Sequence, residues 1–166
     1  MMMNGSDSVT YEDLLIESEK EDLIVKEKNI PGFGGRIYQN RIAIHKQLGT
    51  QKEKACVLAE ELGHHYTSTG DILDQSDPDA RKQELHARLW GYNKMVGLHG
   101  IVSAYRHHCR NLAEMADYLD VTELFLAECL EVYRRKYGCC VELDNYVIMF
   151  EPRLAVVERF EDTEDL

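Results

Sequence analysis

The run Thr50-Gln51-Lys52-Glu53 constrains the fold more than any other stretch of the chain. A threonine hydroxyl and a glutamate carboxylate three residues apart satisfy each other's free amide hydrogens and so start a helix. The spacing predicts a helix from Thr50 to about Tyr66. At about 100° per residue, Ala55, Leu58, Ala59 and Leu62 gather on one face, which has to be buried. Glu60 and His64 lie roughly 40° apart on another face. A single helix thus offers a core surface and, beside it, a carboxylate and an imidazole aligned with each other.

Upstream, Tyr11, Leu14, Leu15, Leu23 and Ile24 punctuate an acidic stretch, which predicts one surface helix from Thr10 to about Asn29, ended by Ile30-Pro31-Gly32. The segment Pro31-Gly32-Phe33-Gly34-Gly35 has the glycine content of a phosphate loop, without the lysine or the preceding strand such a loop uses. Arg36-Ile37-Tyr38 and Arg41-Ile42-Ala43-Ile44-His45 flank Gln39-Asn40 and predict a small hairpin. Downstream, Thr67-Ser68-Thr69-Gly70 stops the central helix. A polar loop then reaches Asp77, a suitable cap, and Pro78 opens a second helix to about Val96. Ala80, Glu84, Ala87 and Gly91 form a stripe about 60° wide on it, so a neighbouring helix can come close. A carboxylate held in that stripe needs a cation. Leu85, Leu89 and Tyr92 are the expected packing face.

The remainder begins as a polar stretch containing His99, His107 and His108, then takes helix-turn-helix spacing from Asn111 to Tyr133, with Thr122 as a cap. Glu123, Glu128 and Glu131 on the second helix of that unit would meet DNA phosphates badly. Cys139 to Val157 predicts a second hairpin about Asp144-Asn145, and residues 158–166 an acidic frayed tail. The fold expected is α+β, mainly α-helical, with a small antiparallel sheet. Residues 1–98 would form a core carrying the two-helix constellation. Residues 99–166 would form a helical segment with its hairpin and tail, packed with that core as one unit.

Charge narrows the function. The 166 residues hold 30 acidic against 19 basic side chains, a formal charge of −11, which repels phosphate backbones and anionic lipid. Direct nucleic-acid binding is therefore not expected, and no apolar run approaches the ~20 residues of a membrane span. Residues 1–10 lack the basic start and apolar middle of a secretion signal, which predicts a cytoplasmic protein. Five cysteines without a C-x-x-C pair are expected to be reduced thiols, with Cys56 as small packing rather than a nucleophile.

The chemistry converges on Glu60-Glu61-Leu62-Gly63-His64. In a helical H-E-x-x-H arrangement the residues at i and i+4 bind one metal and the glutamate at i+1 polarises its water. Glu60 occupies the first ligand position here, with Glu61 as general base, His64 as second ligand and Glu84 as third. A carboxylate oxygen can bind zinc at about 2.0 to 2.2 Å, so Glu60 fits by geometry. Two carboxylates and a neutral imidazole cancel the charge of a divalent ion, which weakens its Lewis acidity or favours a harder metal such as Mn2+. His65 beside His64 reads as a supporting or surface residue, and His86 and Tyr92 are candidates to approach an oxyanion. Pairing Glu61 with His65 keeps the i+4 spacing but puts Leu62 where the base should be. The plainest alternative leaves Glu60 a solvated helix carboxylate with no metal.

The same stretch resembles the ImmA/IrrE family of metallo-endopeptidases, whose motif reads H-E-L-G-H with a third-ligand glutamate in an E-x-x-A run, here Glu84 to Ala87. The resemblance also takes in the acidic amino-terminal helix, the hairpin and the helix-turn-helix-like segment, and is closest to proteins of prophages and integrative elements. It implies a zincin-like active-site helix, a Zn2+ cofactor and cleavage of a repressor protein of the helix-turn-helix class. A second reading keeps the peptidase fold and acts by binding the repressor without turnover.

Overall fold

The structure, a computed structural model, describes residues 8–68 and 78–160; the expected polar loop with its Asp77 cap and the last six residues of the expected acidic tail lie outside them. The described residues form six helices and six strands in an α+β arrangement. Helix α1 (Tyr11–Lys20) is followed by β1 (Ile24–Lys28), β2 (Gly35–Tyr38) and β3 (Arg41–His45). Then come α2 (Gln51–Thr67), α3 (Pro78–Met95), α4 (Gly97–Arg106), α5 (Leu112–Leu119) and α6 (Glu123–Tyr137). Strands β4 (Cys140–Leu143), β5 (Tyr146–Met149) and β6 (Ala155–Glu158) close the chain.

The long amino-terminal helix expected to reach Asn29 ends at Lys20. Glu21 caps it, Asp22 turns the chain at φ +57°, and Ile24–Lys28 becomes a strand. The strand forms because β3 offers partners: Ile24 to Lys28 pair in parallel with Arg41 to His45. The hairpin forms as expected, β2 running antiparallel to β3 with Gln39-Asn40 as its two-residue turn. Strand order is β1-β3-β2, so this sheet is mixed, where an antiparallel one was expected.

The Thr50 capping box is present: its hydroxyl accepts from the Glu53 amide, and Glu53 accepts from the Thr50 amide. Ala55, Leu58, Ala59 and Leu62 are all buried. On α3, Ala80, Ala87 and Gly91 are buried as expected. The expected packing face of α3 holds only in part, since Leu85 is exposed, Leu89 half-buried and Tyr92 buried. Burial rises toward the end of α3 because the helices after it meet it there: Tyr92 packs edge-on against Phe125 of α6, and the Tyr133 hydroxyl donates to Asn93 at 2.7 Å.

The expected polar stretch after residue 98 is instead helical. Gly97 turns the chain at φ +65° and α4 buries Ile101, Val102 and Ala104. The boundary expected at 98/99 thus falls within a helix, and one hydrophobic cluster runs from Leu14 and Ile44 through Leu58 to Leu126 and Ile148. The α5–α6 pair has the expected helix-turn-helix spacing, with the Thr122 hydroxyl capping α6 at the Phe125 amide. The second hairpin turns at Asp144-Asn145 and gains a third strand, so Glu158 belongs to the sheet, opposite Tyr146, rather than to a tail.

Candidate metal centre

The site is built where α2 and α3 touch. A Cβ on Gly63 would be driven into the carbonyl oxygen of Ala87, so only glycine permits the separation seen here. Close approach lets short side chains on the two helices meet. His64 Nε2 lies 3.3 Å from Glu84 Oε2, and Glu60 completes the group. One ligand atom from each of Glu60, His64 and Glu84 lies within 4.8 Å of the other two, and no other such group occurs among the described residues. An oxygen, oxygen, nitrogen set this near to converging could hold a metal ion. The three side chains are half-buried, so the site opens to solvent on one side.

Glu61, next to Glu60 on the same helix, is buried against the first sheet. Gly35 makes that possible, because a Cβ there would lie 2.8 Å from Val57 Cγ1 and 2.9 Å from Glu61 Cγ. Burial pushes the Glu61 carboxyl up to about 8, with the negative charges of Glu60 and Glu84 adding to the effect. A backbone hydrogen bond from Ile37 on β2 and the charge of Arg36 oppose it. Burial also raises the Glu60 carboxyl above its ordinary range, outweighing the pull of Arg88. A divalent cation among these carboxylates would favour their ionised forms.

The expected supporting residues divide. His65 is turned to α1, its Nε2 3.4 Å from Glu21 Oε2 and its ring edge-on to Tyr66. His86 is exposed, two residues and so about 200° round the helix from Glu84. Neither is part of the group. Tyr92 is buried on the α6 side, its hydroxyl donating to Glu128 Oε2 at 3.5 Å, and burial together with Glu128 raises its pKa. Cys56 is buried and its thiol pushed up to about 11 by that burial, as fits packing rather than nucleophilic chemistry.

Arg88 joins the group although its place in the sequence marks only one of its two partners. Its Nε lies 3.3 Å from Glu84 Oε1 and 3.7 Å from Glu60 Oε1. The i,i+4 spacing from Glu84 was a visible signal; the contact with Glu60 on the other helix was not. Glu128 of α6 also reaches this field, its charge acting on Glu60, Arg88 and Tyr92. Compared with family models, curated proteins and solved structures, the chain matches none.

Proposed function

We propose that this chain is a metal-dependent endopeptidase of the ImmA/IrrE type, with a zincin-like active-site helix, acting in the cytoplasm on a helix-turn-helix repressor encoded by a prophage or mobile element. The observation that carries the reading is the convergence of Glu60, His64 and Glu84 from two helices beside a buried Glu61. Glu60, His64 and Glu84 would hold Zn2+, or Mn2+ in its place. When bound, a divalent ion there supplies Lewis acidity, polarising a carbonyl and making nearby water more acidic. Glu61 is the general base: its carboxylate takes a proton from the attacking water and returns it to the leaving amine. The Ile37 amide and the cover of Gly35 hold that carboxylate in one orientation.

One observation favours a second reading, in which the chain occupies a repressor without cutting it. Glu60 stands where the motif has histidine and, with Glu84, neutralises the ion that would drive hydrolysis.

A single experiment separates the two. Purified protein is analysed for bound metal, loaded with Zn2+ or Mn2+, and incubated with a candidate repressor beside its Glu61→Gln variant. Metal-dependent cleavage that the variant loses supports the peptidase. Cleavage that persists in the variant removes Glu61 from its role, and repressor association without metal or cleavage supports the binding reading.

A further inference from the structure

The two carboxylates of the proposed metal centre already share a cation. The Arg88 guanidinium reaches from α3 to Glu84 Oε1 on its own helix and to Glu60 Oε1 on α2. Glu84 is divided between two partners, since its other oxygen, Oε2, is the one that meets His64. Burial works against the charge on Arg88, and Glu60 and Glu84 outweigh it. Glu128 adds a further negative charge to that field. An ordinary i,i+4 surface pair would explain the contact with Glu84 alone; the reach to Glu60 across the helix pair is what calls for another account.

We propose that Arg88 is the resident counter-cation of Glu60 and Glu84 and competes with a divalent metal ion for them, so that it holds the metal affinity of the site below what its three ligands alone would give. The inference rests on the metal-centre reading above. Its physical basis is Coulombic: a doubly charged ion among Glu60, His64 and Glu84 would stand a few ångströms from the guanidinium, and even in water-like surroundings that repulsion lowers affinity by roughly tenfold or more. Arg88 also restores one positive charge to a centre from which Glu60, in place of histidine, removes it. Its side chain is half-exposed, so water screens part of this repulsion. Metal occupancy keeps the shape of a single-site isotherm, its midpoint moved to a higher ion concentration by Arg88.

The test is metal affinity rather than activity. Zn2+ binding is measured by competition with a chromogenic chelator, and Co2+ binding by its absorption, for the wild-type chain, Arg88→Gln, Arg88→Leu and Arg88→Lys, each checked for helical content. Arg88→Gln and Arg88→Leu are expected to bind at least about tenfold more tightly than wild type. Arg88→Lys, which keeps the charge, is expected to stay near wild type. Equal affinity in all four overturns the competition while leaving the metal centre standing. Weaker binding in the uncharged variants also overturns it and makes Arg88 a positioning residue. Absence of binding in every form overturns the metal centre and this inference together.

Discussion

The α-carbon of Gly63 faces the carbonyl oxygen of Ala87 with no space for a side chain between them. Alanine in place of glycine inside a helix ordinarily stabilises by about 1 kcal/mol. At Gly63 the sign reverses, because a methyl group must push α3 away from α2. Gly63→Ala is expected to cost about 1 to 3 kcal/mol in urea denaturation and to weaken metal binding by parting His64 from Glu84. A variant as stable as wild type would mean that the helices are not held this closely.

Ligand substitutions should sort by geometry. His64→Ala and Glu84→Gln are each expected to reduce Zn2+ affinity by at least about a hundredfold, since even partners outside the ligand set commonly cost ten- to a hundredfold. His65→Ala and His86→Ala are expected to leave it unchanged, because one side chain engages Glu21 and the other is exposed. A large loss in His65→Ala with none in His64→Ala would instead support the shifted register.

Glu61 gives the metal-free protein a pH dependence of definite sign. Its carboxyl is raised from the ordinary 4.5 to about 8 in the folded chain, so between those values the folded state holds a proton that the unfolded state has released. Stability therefore falls as pH rises through that window, on the order of 1 kcal/mol per pH unit. The stability difference between Glu61→Gln and wild type, followed in chelator at pH 5, 6.5 and 8, isolates this group from the histidines. The variant is expected to gain on wild type as pH rises, and a constant difference would place the Glu61 carboxyl in the ordinary range.

Thiol reactivity should follow burial. Cys139 and Cys140 are exposed, whereas burial pushes the Cys56 and Cys129 thiols up to about 11 and about 12. A disulfide reagent at pH 8 is expected to modify Cys139 and Cys140 at once, Cys109 more slowly, and Cys56 and Cys129 only on unfolding. Peptide mapping after brief labelling checks the order, and early modification of Cys129 would mean that α6 is not packed as described.

How far the sequence could be read depended on whether the deciding partner was near in the chain. The central helix was legible from end to end because its cap, its apolar period and its i+4 pair are all local to residues 50–67. The stripe on α3 was legible for the same reason, whereas the meeting of Glu84 with His64 on the other helix could be expected only from the ligand motif. Strand β1 was not, because Lys26, Glu27 and Lys28 read as a solvated helix face until β3 supplies hydrogen-bond partners about seventeen residues on. Helix α4 was hidden by Gly97, His99 and Gly100, although Ile101, Val102 and Ala104 lay close behind. Arg88 shows the same limit within the site, since its pair with Glu84 is a spacing and its pair with Glu60 exists only once two helices have docked.

The Tyr133 hydroxyl reaches back from α6 to Asn93, nine residues along the same helix from Glu84. The carboxyl-terminal half therefore buttresses the arm that carries the third ligand. A fragment cut after residue 98 would strip Tyr92 and Asn93 of Phe125 and Tyr133, and the arm would lose its anchorage at the far end. A piece that keeps both contacts extends through α6, so the segment expected to pack with the core is part of the frame on which the chemistry is hung.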